Sequence, residues 1–285
     1  MKQLSVVIPV YNEEKAVEQT VQEILALRDS IDLELILVND GSTDQTHEKI
    51  LALKDENIVY LRHLRNKGYG SSLKTGIRQA TSDFVAITDA DGTYPNDQIP
   101  TLLEAIHEHR LDMAVGARTG ENVSYPFIKK IPKFFLKRLA EYVADHAIPD
   151  INSGLRIFRK DVAMKFFHLY PQGFSFTMTI TLSMLCGGYD VEFFPVNYYS
   201  REGKSKIRPI HDTTRFFNLM FRMAMYFNPF KFFTPIIILL FGLSLYSLGL
   251  DVMRADLTQS SVLLPVSALL FFSLALLADL IVKKT

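Results

Sequence analysis

Phe84-Val85-Ala86-Ile87-Thr88-Asp89-Ala90-Asp91-Gly92 is a short apolar run that ends in two aspartates around a small residue. The run has the length and character of a buried β-strand, and the carboxylates stand where it stops. In a turn, Ala90 leaves one carboxylate free to face a metal and the other to face a neighbouring sugar or phosphate. Mg2+ is commonly held in this way, by one or two protein carboxylates together with substrate phosphates. A plain structural turn is the alternative for the same five residues.

Working outward, Leu4–Val10, Leu33–Asn39, Ile58–Leu61 and Met113–Gly116 repeat the pattern of short apolar strands. Helical stretches lie between them at Glu13–Arg28, Ser71–Gln79 and Gln98–Glu108. This alternation predicts an α/β fold with a mostly parallel central sheet and helices on both faces. Asp40-Gly41-Ser42-Thr43-Asp44 reads as a turn into another helix, with Ser42 or Thr43 as its cap. Beyond Gly116, Ser153–Arg159 returns to the sheet, Asp161–Phe167 and Phe174–Met184 read as helices, and Tyr189–Tyr198 as a late strand. Ligands of such sheets gather beyond the carboxyl ends of the strands, where Asn12, Asp40 and Asp89 all fall. Neither a glycine-rich dinucleotide fingerprint nor a P-loop lysine follows Val10, so a nucleotide here is gripped by carboxylates and an ion.

Two apolar stretches, Phe232–Leu250 and Val262–Val282, are each close to the roughly 20 helical residues that cross a bilayer. The hairpin uses roughly 55 residues and leaves roughly 230, enough for one α/β domain. Lys231 precedes the first span and Lys283-Lys284 follow the second, while Asp251, Arg254 and Asp256 lie between them. The positive-inside rule then predicts both termini and the large domain in the cytoplasm of a two-span membrane protein. Met1-Lys2-Gln3-Leu4 leads straight into a strand, and no signal peptide is expected. Ser124–His146 and Ile207–Asn228 mix aromatic and basic residues with helical spacing. Both read as interfacial helices facing membrane lipids, and for the first the same periodicity also permits a cytosolic helix with a solvated basic face. The expected division is 1–206 catalytic, 207–231 juxtamembrane and 232–285 spans.

The 31 basic and 31 acidic side chains cancel, so nothing draws the chain as a whole to nucleic acid. Local clusters, Lys129, Lys130, Lys133, Lys137 and Arg138, then Arg201, Lys204, Lys206 and Arg208, suit lipid headgroups or phosphate. The single cysteine, Cys186, reads as a packed thiol. The 7 histidines form no metal signature and read mostly as surface or packing residues, with a binding role for His211, beside Asp212, the lesser alternative.

The chain closely resembles the family 2 glycosyltransferases of the GT-A fold, in the branch of dolichol-phosphate mannose synthases and bacterial polyprenyl-phosphate glycosyltransferases. Six ordered motifs carry the resemblance: Ile8-Pro9-Val10-Tyr11-Asn12-Glu13-Glu14, Asn39-Asp40-Gly41-Ser42-Thr43-Asp44, Asn66-Lys67-Gly68-Tyr69-Gly70, Asp89-Ala90-Asp91-Gly92-Thr93-Tyr94-Pro95, Asn152-Ser153-Gly154-Leu155-Arg156 and Arg201-Glu202-Gly203-Lys204-Ser205-Lys206. The resemblance implies that Pro9, Tyr11, Glu13, Val38 and Asp40 contact the nucleotide base and ribose. It assigns Asp89, Ala90 and Asp91 to the diphosphate and its Mg2+ or Mn2+, with Asp91 the leading ligand. Arg118 is similar to an arginine that approaches the transferred phosphate, and Arg201 to one that closes the site; Lys206 is a weaker candidate. Arg156 fits a site wall or a buried ion pair equally well. The acceptor clamp departs from the family pattern, since the corresponding run offers only Lys133, Lys137 and Arg138.

These likenesses imply inverting transfer of one hexose from a nucleotide diphosphate sugar to polyprenyl phosphate. UDP-glucose is the first donor expected; GDP-mannose, UDP-N-acetylglucosamine and UDP-4-amino-4-deoxy-L-arabinose stay open. They also imply oligomerisation, as homotetramers, through the membrane regions. A processive polysaccharide synthase would carry a Gln-x-x-Arg-Trp motif and usually more spans, and this chain has no tryptophan. A membrane sugar-nucleotide sensor keeping the fold without turnover is the non-enzymatic alternative.

Overall fold

The computed structural model describes residues 3–53, 55–119, 130–173, 175–199 and 209–284. The chain divides into two compact units, Met1–Thr213 and Thr214–Thr285.

The first unit is built on a seven-stranded sheet. Its strands are β1 Leu4–Val10, β2 Leu33–Asn39, β3 Ile58–Arg62, β4 Phe84–Ile87, β5 Met113–Ala117, β6 Arg156–Arg159 and β7 Val191–Pro195. They lie in the order β3-β2-β1-β4-β6-β5-β7. All pairs are parallel except those of β6, which runs antiparallel between β4 and β5. Because β6 is reversed, its amino end lies at the same edge of the sheet as the carboxyl ends of the others. The order reverses at β1, whose neighbours are β2 and β4, and this switch point opens a crevice beyond the strand ends.

The β1 and β2 sequences are almost continuously apolar because helices cover both faces. One face carries α1 Val17–Ala26, α2 Thr46–Ala52 and α4 Ile99–His109, packing Val17, Val21, Ile50, Leu102 and Ile106 against Val6, Ile8 and Leu35. The other carries α3 Tyr69–Gln79, α6 Lys160–Lys165 and α7 Phe176–Cys186, packing Leu73, Ile77, Val162 and Ile180 against Val7, Ile36 and Val38. Helix α7 is buried from Phe176 to Leu185. Its last residue, Cys186, is half-buried and directs its thiol at the Val143 carbonyl of α5 Lys130–Ala144, 3.8 Å away. The amphipathic stretch expected over 124–146 is thus helical from 130, and residues 120–129 lie outside the described residues.

Two sequence expectations are corrected. The helix read from Glu13 begins at Val17, because the Glu13 and Glu14 amides are spent on Thr46 Oγ1 (3.0 Å) and Asp44 Oδ2 (3.3 Å) across the β2 loop. Neither Ser42 nor Thr43 caps α2. Asp44 accepts from the Thr46 amide (3.1 Å), while Ser42 Oγ and the Thr43 amide are bound to Asn12.

Where α3 begins, the chain from Pro171 to Gly173 lies directly on it. A Cβ on Gly70 would stand 2.2 Å from the Pro171 carbonyl oxygen, a main-chain atom that cannot turn aside. Gly70→Ala is expected to cost about 2–3 kcal/mol, the upper range for overpacking. Denaturant unfolding of the variant measures it, and a midpoint equal to wild type would mean the segment does not rest on α3.

The second unit holds the end of α8 Pro209–Phe227, then α9 Pro229–Arg254 and α10 Gln259–Lys284. The last two have apolar windows of mean hydropathy 2.1 and 2.3, and each is long enough to cross a membrane. Asn228 caps α9 by accepting the Lys231 amide at 3.1 Å. The turn between the helices is tied by Asp251, which accepts from the Thr258 amide (2.9 Å), the Thr258 hydroxyl and Ser261. Asp279 pairs with Lys283 (2.7 Å) one turn away at the helix end. Large side chains such as Ile238, Leu239, Leu263 and Ile281 are more than half exposed, an apolar surface of the extent that marks a membrane or protein interface.

Candidate active site

The donor-site candidates from the first unit that fall among the described residues gather at one edge of the sheet. Tyr11 and Glu13 follow β1, Asp40 follows β2, Asp89 and Asp91 follow β4, and Arg118 follows β5. Residues 153–155 lead into β6 at the same edge. Arg201 and Lys206, with the rest of their basic cluster, lie outside the described residues, as does the side chain of His211.

At β1 and β2, Tyr11, Glu13 and the Pro9 ring are half-buried. Asn12 adopts φ 52°, a left-handed turn that Asn tolerates, and its side chain ties the two loops by accepting from Thr43. Val38 is wholly buried, main chain included, among Val7, Ile36 and Leu73, so it shapes the sheet edge from beneath and offers no exposed atom to a ligand. Asp40 is buried and heavily bonded. Its Oδ1 accepts from His63 Nδ1 (2.7 Å) and the Lys67 amide (2.9 Å), and its Oδ2 from the Gly68 amide (2.8 Å). A carboxylate accepts only, so His63 carries its proton on Nδ1 toward Asp40. On its other side His63 Nε2 meets Thr75 Oγ1 at 3.0 Å.

At β4 the two aspartates differ. Asp89 Oδ1 accepts from the Tyr69 hydroxyl at 2.9 Å. Asp91 Oδ1 accepts from the Thr93 hydroxyl (2.6 Å) and amide (3.3 Å), a local turn that holds its carboxylate beside Gly92. Ala90 is buried between them, and its carbonyl accepts from Thr20. Burial first, and then the Asp89 charge, push the Tyr69 phenol far above its usual range, so it stays a donor. Tyr94 is likewise pushed up by burial and takes the Gly154 amide at 2.6 Å.

Arg118 does not stand alone. It grips Asp150 with two donors, Nε to Oδ2 at 2.7 Å and Nη2 to Oδ1 at 3.0 Å, and its own amide reaches Oδ2 at 3.1 Å. Its guanidinium lies over the Tyr198 ring at 5.1 Å, and Tyr198 meets Tyr94 edge-on at 5.3 Å. Burial alone would raise the Asp150 carboxyl, but the Arg118 hydrogen bonds and charge outweigh it and hold it at about 2. Arg156, read beforehand as a site wall or an ion-pair partner, is fully buried and bonds instead to the Thr177 carbonyl (3.0 Å), Thr181 Oγ1 (2.8 Å) and the Ser153 carbonyl. That burial lowers it to about 10. Lys137 and Arg138 both turn toward Glu141 on their own helix, at 3.7 and 3.5 Å.

His63, Tyr69, Tyr94 and Asp150 were given no role in the site by sequence reasoning. Tyr69 and Tyr94 lie inside two of the six motifs, but nothing in their spacing relates them to Asp89 or Gly154. Among the described residues no group of three or more His, Cys, Asp or Glu converges. The oxygen set at Asp89 and Asp91 suits a hard divalent cation whose remaining positions are filled by phosphate and water.

Comparison with known proteins agrees with this layout. Residues 5–167 match the family described as Glycosyl transferase family 2, and residues 228–283 match the GtrB C-terminal hairpin. The dolichol-phosphate mannosyltransferase of Pyrococcus furiosus is 32% identical over 189 residues, covering 63% of this chain and 52% of that protein. The low-salt glycan biosynthesis hexosyltransferase Agl6 of Haloferax volcanii is 27% identical over 222 residues, covering 76% of this chain and 52% of that protein. The chain therefore spans about half the length of these two curated relatives. Glucosyl-3-phosphoglycerate synthase from Mycobacterium tuberculosis, solved with Mn2+, UDP and phosphoglyceric acid, shares the fold at TM-score 0.62 and 16% identity, with 78% of each chain covered. The same enzyme has been solved with Mn2+ and UDP-glucose, and with Mg2+ and UDP.

Proposed function

The chain belongs to glycosyl transferase family 2, and on that premise we propose that it moves one hexose, with inversion, from a nucleotide diphosphate sugar to polyprenyl phosphate. The observation that carries this reading is the gathering of Asp40, Asp89, Asp91 and Arg118 at one sheet edge, in a chain whose last residues match a GtrB hairpin. Pro9, Tyr11, Glu13 and Asp40 hold the nucleoside, with Val38 shaping the sheet beneath them, and Asp89, Ala90 and Asp91 face the diphosphate. Mg2+ or Mn2+, held by Asp91 with Asp89 beside it, supplies charge neutralisation on the leaving diphosphate. Arg118, fixed by Asp150, presents a guanidinium to phosphate. By resemblance Arg201, and more weakly Lys206, supply further positive charge for the diphosphate.

The acceptor phosphate is already anionic near neutral pH, so it attacks without an enzyme base. The chain's contribution is then alignment of the two reactants and stabilisation of the departing charge. The division proposed is 1–206 catalytic and cytoplasmic, 207–231 interfacial, and 232–285 a two-span anchor with both termini cytoplasmic, assembling as a homotetramer. The anchor keeps an acceptor with one end in lipid at the membrane surface.

UDP-glucose is the donor favoured, and the fold's likeness to an enzyme solved with UDP-glucose supports it. GDP-mannose is the second reading, supported by the 32% identical mannosyltransferase. Purified full-length protein should be incubated with polyprenyl phosphate, Mn2+ or Mg2+, and a panel of sugar nucleotides, with the lipid product weighed by mass spectrometry. A one-hexose gain from a single donor, abolished by EDTA and restored by Mn2+, is expected. Release of no nucleotide diphosphate from any donor overturns the reading.

A further inference from the structure

We propose that Tyr69 is a positioning residue that fixes Asp89 against Asp40, so that Lys67, Gly68 and Tyr69 set the span between the nucleoside and diphosphate ends of the donor site; this rests on the function proposed above.

Three consecutive residues bind two carboxylates that stand at the ends of different strands. The Lys67 and Gly68 amides donate to the two oxygens of Asp40, at 2.9 and 2.8 Å. The next residue turns the other way and donates its hydroxyl to Asp89 at 2.9 Å. Strands β2 and β4 are separated by β1, so this tripeptide crosses the switch point of the sheet. Gly68 makes the turn possible. Its φ is 101°, and a Cβ there would stand 2.6 Å from the Gln172 carbonyl oxygen.

Both carboxylates are braced from a second side. His63 holds Asp40 through Nδ1 and reaches Thr75 of α3 through Nε2, so the helix that begins with Tyr69 is tied to Asp40 twice. Asp89 rests against Gly154, where an added Cβ would be 2.7 Å from Oδ2. With a donor at one oxygen and the β6 approach against the other, the Asp89 carboxylate has one orientation. Partners of this kind, one bond removed from a metal or phosphate, commonly change metal affinity or activity tenfold to a hundredfold when lost.

Tyr69→Phe removes the hydroxyl and keeps the ring. Full-length wild type and Y69F should be titrated with Mn2+ in the presence of UDP, free Mn2+ being read by electron paramagnetic resonance, and thermal midpoints measured in parallel. Y69F is expected to bind Mn2+ with UDP about tenfold more weakly, with a thermal midpoint within a few degrees of wild type. Tyr170→Phe, which removes another buried hydroxyl, one with no hydrogen bond to either aspartate, is expected to change neither. Equal Mn2+ binding by Y69F and wild type overturns the role of Tyr69 alone. Wild-type protein that retains no Mn2+ with UDP, nor with GDP in a parallel titration, overturns the donor-site reading and this role together.

Discussion

Asp91→Asn is expected to lower kcat/KM for hexose transfer on the order of a thousandfold, about 4 kcal/mol of transition-state stabilisation. The substitution is nearly isosteric, and its remaining oxygen still accepts from Thr93 as Asp91 Oδ1 does now. The turn after β4 is therefore kept, and the change is one of charge. On the proposed role of Asp91, the ligand set for the cation loses its leading anionic member and keeps only Asp89 beside it. Turnover should be measured across a range of Mn2+ concentrations, beside a thermal melt. A melt like that of wild type with a rate down by orders of magnitude places Asp91 on the metal. A rate within threefold of wild type, with unchanged metal dependence, would make Asp91 an ordinary turn former.

The sheet and the edge that carries the site were legible because both are written in local pattern. Apolar runs of four to seven residues ended in Asn39-Asp40, Thr88-Asp89 or Gly116-Ala117-Arg118, and a parallel sheet collects such endings. The reversal of β6 was not legible: Arg156-Ile157-Phe158-Arg159 has the same apolar character whichever way it runs, and only its pairing to both β4 and β5 fixes the direction. The braces of the site were hidden for a related reason. Tyr69 and Asp89, or Arg118 and Asp150, meet through the fold across 20 and 32 positions, and no periodicity encodes a contact of that kind. Arg156 shows the limit most plainly. Its charge suggested an ion pair, yet at full burial carbonyl and hydroxyl oxygens from 153, 177 and 181 take the donors of its two Nη groups.

Asp150→Asn is expected to destabilise the first unit by about 3 kcal/mol, because removing one member of a buried pair leaves the other charge without its counterion. Arg118 and Asp150 side chains are 15% and 6% exposed, so water replaces little of what is lost. The acid limb of stability gives an independent measure. Asp150 titrates at about 2 in the folded protein against 3.8 for the free side chain. A depressed carboxylate contributes stability that is whole above pH 4 and fades as the pH falls toward 2. The depression corresponds to about 2 kcal/mol, comparable to the loss expected from the mutation. Denaturant unfolding of wild type and D150N between pH 6 and pH 2 should show the two curves converging as the acid removes the same charge. A constant gap across that range would mean that the cost of the mutation lies in packing and not in the ion pair. Arg118→Met in the D150N background should recover part of the loss, since it removes the stranded guanidinium. No recovery would place the stabilising role of Asp150 in its bonds to the Arg118 and Asn152 amides instead.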